Sequence, residues 1–90
     1  MAPETTQTWL ARIHILHKAA VVDPQGNTVR DALHQLHFDG VQGVRVGKYI
    51  EVTCNAPDEA TAHASVESMC TTLLANLVIE TYSFTLAPIE

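Results

Sequence analysis

Five histidines, His14, His17, His34, His37 and His63, are the side chains best suited to chemistry, because neutral imidazole is the commonest metal ligand and titrates near neutral pH. Their spacing works against a shared site. His14 and His17 are three apart in a stretch that reads as strand and so point to opposite faces. His34 and His37 are three apart in a stretch that reads as helix and can meet, but no third ligand falls beside them, so no metal site is expected. Gly43-Val44-Arg45-Val46-Gly47-Lys48 has the glycines and the cation of a phosphate-cradling loop. It departs from that loop in three ways: the glycine spacing is one residue short, Tyr49 stands where Ser or Thr would bind magnesium, and both flanks read as strand. Cys54 and Cys70 fit neither a C-x-x-C pair nor a dense disulfide frame, and are read as reduced core residues rather than as a single disulfide. Asp58 and Glu59 sit together where a helix begins, which suits the helix dipole better than acid–base work. No serine has a histidine backed by a carboxylate in any arrangement the sequence can show.

The elements that carry these residues follow from the patterning. Trp9, Ala11, Ile13 and Ile15 alternate with Leu10, Arg12, His14 and Leu16, which predicts a half-buried strand over residues 9–18. Asp23-Pro24 is a helix start: the carboxylate can cap free N–H groups, and proline fits the first helical position. Val29, Ala32, Leu33 and Leu36 then form the apolar stripe of a first helix, which Asp39-Gly40 should end; Gly26 and Asn27 weaken its first turn, so the start could lie nearer Thr28. Val44, Val46, Ile50, Val52 and Thr53 argue strand on both sides of Gly47-Lys48. The adopted reading is a hairpin of residues 42–46 against 49–54, with one long strand bent at Gly47 as the alternative. A second helix opens at Ala56-Pro57-Asp58-Glu59 and runs to about Ala75, burying Ala62, Val66, Met69, Cys70, Leu73 and Leu74. Asn76 is its expected left-handed cap, and residues 78–86 form the last strand with Tyr82, Phe84 and Leu86 inward.

This order, β-α-β-β-α-β, predicts an α+β, ferredoxin-like sandwich with two helices on one face of a four-stranded antiparallel sheet. The other face lacks a cover. Its expected members, Leu10, Leu16, Tyr49, Glu51, Thr53, Ile79 and Thr81, mix bulky apolar with polar groups and suggest a homo-oligomer. Ninety residues, 47% hydrophobic and 17% charged, fit one domain over residues 9–90, preceded by a polar extension over residues 1–8 expected to be disordered. The formal charge of −5 disfavours nucleic acid and anionic membrane as partners. Apolar runs are too short for a membrane span, and the first residues lack the basic and apolar regions of a secretion signal, so a cytoplasmic location is expected.

Several stretches, in order and over roughly residues 11–86, resemble the PurS family, the small subunit of phosphoribosylformylglycinamidine synthase in its multi-subunit form. They are Asp23-Pro24-Gln25-Gly26, then Val44-Arg45-Val46-Gly47-Lys48-Tyr49-Ile50-Glu51, then Leu73-Leu74-Ala75-Asn76 followed by Val78-Ile79-Glu80. Leu77 stands where the family often has proline. The resemblance implies a non-catalytic assembly subunit in purine biosynthesis, within a complex that turns formylglycinamide ribonucleotide, glutamine and ATP into formylglycinamidine ribonucleotide, glutamate, ADP and phosphate. It implies a homodimer or higher homo-oligomer that joins the PurQ glutaminase to the PurL synthase and helps ammonia pass between them. ATP, magnesium and glutamine would be used by those partners, with no cofactor held by this chain alone.

On that resemblance Arg45, Lys48, Tyr49 and Glu51 are the candidate partner contacts, because they combine the cation, aromatic and acid that interfaces use. Asp23, Pro24, Gly26 and Gly47 are read as turn-forming residues. Two other classes compete. A free-standing ferredoxin-like dimer could bind a metabolite and regulate another protein, which predicts saturable ligand binding. A small enzyme using His14 or His34 predicts turnover by the purified chain.

Overall fold

The computed structural model describes residues 6–89. Its elements run β1 (Gln7–His17), α1 (Pro24–Gln35), β2 (Lys48–Ala56), α2 (Glu59–Met69), a π-helical turn continuing α2 over Cys70–Leu74, and β3 (Glu80–Ile89). The strands form one antiparallel sheet in the order β2-β1-β3, the α+β, ferredoxin-like class built on three strands. β1 pairs with both neighbours along nearly its full length, Ile13 lying opposite Ile50 on one side and Phe84 on the other.

The expected fourth strand is absent from the described residues: residues 41–47 join neither a hairpin nor a long bent strand. Their polar groups are used elsewhere. Val46 N–H donates to Asp23 Oδ2 at 2.9 Å, and the Val41 carbonyl lies 2.7 Å from His34 Nε2. A segment tied to the start and the end of α1 cannot also lie flat along a sheet edge.

β1 begins two residues before its expected start, so Gln7 and Thr8 pair with Ala56 and Asn55 as part of the sheet. The rest of the expected extension, residues 1–5, lies outside the described residues. β3 likewise starts later and ends later than the alternation suggested, because residues 77–79 form a turn.

Both helix ends differ from the expected ones. α1 stops at Gln35, ahead of Asp39-Gly40, and His37 takes the left-handed conformation at φ 72°. Phe38 N–H then reaches the Leu33 carbonyl and His37 N–H the His34 carbonyl, closing the helix in a Schellman motif with a histidine where glycine is usual. Asn76 is not left-handed, since among the described residues His37 alone is a non-glycine at positive φ. Asn76 instead anchors the turn into β3. Its Oδ1 accepts from Val78 N–H, its carbonyl from the N–H groups of Ile79 and Glu80, and its own N–H donates to Glu80 Oε1 at 2.7 Å.

The core lies between one sheet face and α2. Ala11, Ile13 and Ile15 from β1 meet Val66 and Cys70, with Ile50, Val52, Tyr82, Phe84 and Leu86 packed around them. Trp9, Ala56 and Ala62 extend it at one end, where the Trp9 indole donates to the Ala56 carbonyl. Cys70 is a fully buried free thiol and Cys54 a half-buried one; burial pushes the Cys70 thiol up from its ordinary range. α1 departs from expectation most. It contributes only Gly26 to the buried residues, and Val29 and Leu36 from its stripe are exposed rather than in the core.

Candidate functional site

The sheet register sorts the candidate contacts into two groups. Tyr49 and Glu51 are two apart on β2 and share the face that α2 does not cover, opposite His14 and Arg12 on β1. The Tyr49 hydroxyl donates to Glu51 Oε2 at 2.7 Å, and the Tyr49 ring lies 5.1 Å from the His14 ring. Donating to a carboxylate raises the Tyr49 pKa above its ordinary 10.0, because deprotonation would set two anions side by side. Leu10, Leu16 and Ala87 are half-buried on the same face, beside exposed Thr53 and Thr81. This open surface therefore has an aromatic and acidic end on its β2 edge and small apolar ground between polar groups. Of the residues expected here, Ile79 lies outside the sheet, in the turn before β3.

Arg45 and Lys48 are elsewhere, and each has a partner within the chain. The Arg45 guanidinium donates to the His17 carbonyl. Lys48 pairs opposite Ile15, on the α2 side, with its Nζ 3.6 Å from Glu80 Oε2. Glu80 is held below the ordinary carboxylate value first by the Asn76 N–H and then, more weakly, by Lys48. The four residues thus do not form one patch: two lie on the open face and two tie down the end of the sheet.

The turn-forming residues gather at that same end. Asp23 caps α1 through Oδ1, which accepts from Gly26 N–H at 2.9 Å, while Oδ2 accepts from Val46 N–H. These two backbone bonds hold its carboxyl below its ordinary 3.8. Pro24 takes the first helical position, and Gly26 is buried so close to the Val44 carbonyl that a Cβ there would run into it. Gly47 is needed for a similar reason, since its Cβ would strike the Ile15 carbonyl and the Leu16 side chain. Asp23 as a double acceptor is the feature that sequence reading missed. Asp-Pro marks a cap, but nothing local marks a second bond to a residue twenty-three positions on.

The histidines are dispersed: His14 on the open face, His17 at the end of β1, His34 and His37 around the end of α1, and His63 against Phe84 with the two rings tilted. Among the described residues no three His, Cys, Asp or Glu side chains are grouped to hold a metal, and no helix is long and apolar enough to cross a membrane.

The geometry defines a small α+β protein whose prominent features are surfaces: an uncovered sheet face and an arm braced by Asp23. The comparisons with known proteins give the family. The model of the PurS family, described as phosphoribosylformylglycinamidine (FGAM) synthase, matches residues 10–88. The PurS subunit of phosphoribosylformylglycinamidine synthase from Synechocystis is 47% identical over 88 residues, covering 98% of this chain and 88% of that one. A crystal structure of Bacillus subtilis PurS superposes with a TM-score of 0.80 at 39% identity, covering 88% of this chain and 98% of that one. A structure of PurLQS from Thermotoga maritima contains a chain matched with a TM-score of 0.79 at 27% identity, over 91% of this chain and 98% of that one. This chain belongs to the PurS family of phosphoribosylformylglycinamidine synthase subunits.

Proposed function

We propose that this chain is a non-catalytic assembly subunit of phosphoribosylformylglycinamidine synthase, joining a PurQ glutaminase to a PurL synthase in the cytoplasm and helping ammonia transfer between them. The observation that carries this is the match, over nearly the whole chain, to the fold found in the PurLQS structure. The molecule's surfaces agree with such a role. Its titratable groups are spread over the fold, while the open sheet face offers an aromatic, an acid and apolar ground of the kind interfaces use. ATP, magnesium and glutamine would then be used by the partner subunits, with no cofactor on this chain, and the chain would act as a homodimer or higher homo-oligomer.

The test is size-exclusion chromatography with light scattering on this chain mixed with its cognate PurL and PurQ, with and without glutamine and Mg-ADP, beside a glutamine-dependent amidation assay. The expected result is a larger complex whose glutamine-dependent activity requires this chain. No association and no effect on activity would overturn the proposal and favour the metabolite-binding module. Within the complex, Tyr49→Ala should weaken assembly more than Lys48→Ala, because Tyr49 lies on the open face and Lys48 is paired with Glu80.

A further inference from the structure

Five lysines and arginines face ten acids in this chain, and three of the five, Lys18, Arg45 and Lys48, gather with His17 at one end of the sheet. The other two are engaged elsewhere: Arg30 pairs with Asp31, and Arg12 lies opposite Glu51 on the open face. The three cations line two neighbouring hollows that share His17. The smaller, of about 160 Å³, holds Lys48 and Glu80; the larger, of about 310 Å³, holds Lys18, Asp23 and Arg45 against Val21 and Val44. An apolar wall with a few convergent polar groups is how small-ligand sites are built, and the larger hollow reaches the lower end of their size range, roughly 300–1,000 Å³.

The cations of the larger hollow are not matched within the chain. Asp23 lies among them, but its oxygens are both committed, Oδ1 to Gly26 N–H and Oδ2 to Val46 N–H. Glu80 in the smaller hollow is likewise committed, to Asn76 N–H and to Lys48. Among the described residues neither Lys18 nor Arg45 is in an ion pair. Arg45 uses one guanidinium nitrogen, Nη2, on the His17 carbonyl, which neutralises no charge and leaves other donors of its fork open. That bond sets the guanidinium beside the residue that precedes Lys18, so one cation from the arm and one from the end of β1 converge on the same hollow. Like charges held together repel, and a dianion between them relieves the repulsion while gaining charge-assisted hydrogen bonds.

We propose that this hollow binds a phosphate monoester, with Arg45 and Lys18 on the phosphate oxygens and Val21 and Val44 beside the carbon part of the ester. Phosphate suits the pair better than a carboxylate. Its three terminal oxygens can take the planar fork of an arginine and the point charge of a lysine from separate directions. The site goes beyond the assembly role and does not depend on it. The test is a titration of the full chain, labelled with nitrogen-15, at low ionic strength, followed through its backbone amide resonances. The probes are inorganic phosphate, glycerol 3-phosphate and malonate, a carboxylate dianion. Both phosphates are expected to give saturable shifts centred on residues 17–23 and 44–46, the ester binding no more weakly than inorganic phosphate. Lys18→Gln and Arg45→Gln should each raise the phosphate dissociation constant about tenfold or more, as loss of a hydrogen bond to a charged group does, and Arg30→Gln should leave it unchanged. Lys18 is exposed and outside every ion pair of the described residues, so its variant keeps the fold and reads binding alone.

The absence of a saturable shift by about 10 mM phosphate, well past millimolar affinity, would overturn the proposal. So would shifts centred elsewhere, malonate binding as tightly as the phosphates, or phosphate binding indifferent to Lys18→Gln. The assembly role is read separately by the PurL and PurQ experiment, since a chain that binds no phosphate can still enter that complex.

Discussion

Helix α2 and its π-helical turn bring Ala62, Val66 and Cys70 to zero exposure on the sheet, whereas α1, with its regular stripe of Val29, Ala32, Leu33 and Leu36, buries only Gly26. The contrast separates what a helix needs to bury from where it can bury it. α2 meets the sheet through small residues, Ala62 and Cys70 among them, so its backbone approaches closely and Val66 reaches the floor of Ala11, Ile13 and Ile15. α1 is directed by a polar brace at its first turn, and Val29 and Leu36 of its apolar stripe remain exposed.

The largest expected effect is in the α2 half. Ile13→Ala should cost about 2–5 kcal/mol in urea unfolding, as large-to-small changes at fully buried sites do, while Leu36→Ala, at a mostly exposed side chain, should stay within about 0.5 kcal/mol for the isolated protomer. Similar losses at the two sites would break the contrast. Next come the glycines of the brace. Gly26→Ala and Gly47→Ala should each cost about 1–3 kcal/mol by forcing backbone apart, and an alanine tolerated at Gly26 would show that α1 is not held as described.

The brace also predicts a pH dependence. The Asp23, Asp58 and Glu80 carboxyls are lowered by the N–H groups of Gly26 and Val46, of Thr61, and of Asn76 respectively. The folded protein therefore binds fewer protons at these groups than the unfolded chain. Their stabilisation is present above the ordinary values of 3.8 and 4.5 and is lost as pH falls through the lowered ones. Thermal unfolding followed from about pH 6 to about pH 3 should show falling stability, with a shallower fall in Asp23→Asn. An unchanged acid limb in that variant would remove Asp23 from the account. The smallest effect is a gain: His37→Gly should stabilise by up to about 1 kcal/mol, because glycine takes the left-handed cap without the cost a side chain carries.

Much of the α2 half was legible in the sequence. Alternation in β1 and β3 put Trp9, Ala11, Ile13, Ile15, Tyr82, Phe84 and Leu86 on the correct face, and helical spacing picked out Ala62, Val66 and Cys70. The Asp-Pro and Asp-Glu pairs marked both helix starts, the first as a cap and the second as an acidic first turn whose Asp58 proves to be the cap. Less was legible in the arm. Val44 and Val46 have strand-like side chains, but their segment is excluded from the sheet by bonds to Asp23 and α1 that no local pattern displays. Likewise Asp39-Gly40 has the composition of a helix end, yet the chain turned three residues earlier at His37, where hydrogen bonds to Leu33 and His34 outweigh the cost of positive φ.

The candidate contacts divide along the same line. Residue types alone placed a cation, an aromatic and an acid in one short stretch, and a period of two put Tyr49 and Glu51 on one face. Only the tertiary structure decided that Arg45 and Lys48 serve His17 and Glu80 instead, because those partners come from β1 and from the start of β3. Sequence by itself determined the fold class, the core face of the sheet, the helix starts and the family, all of which rest on local periodicity, caps and ordered motifs. The three-strand sheet and the direction of α1 depend on contacts between residues distant in the chain, which local patterning does not encode.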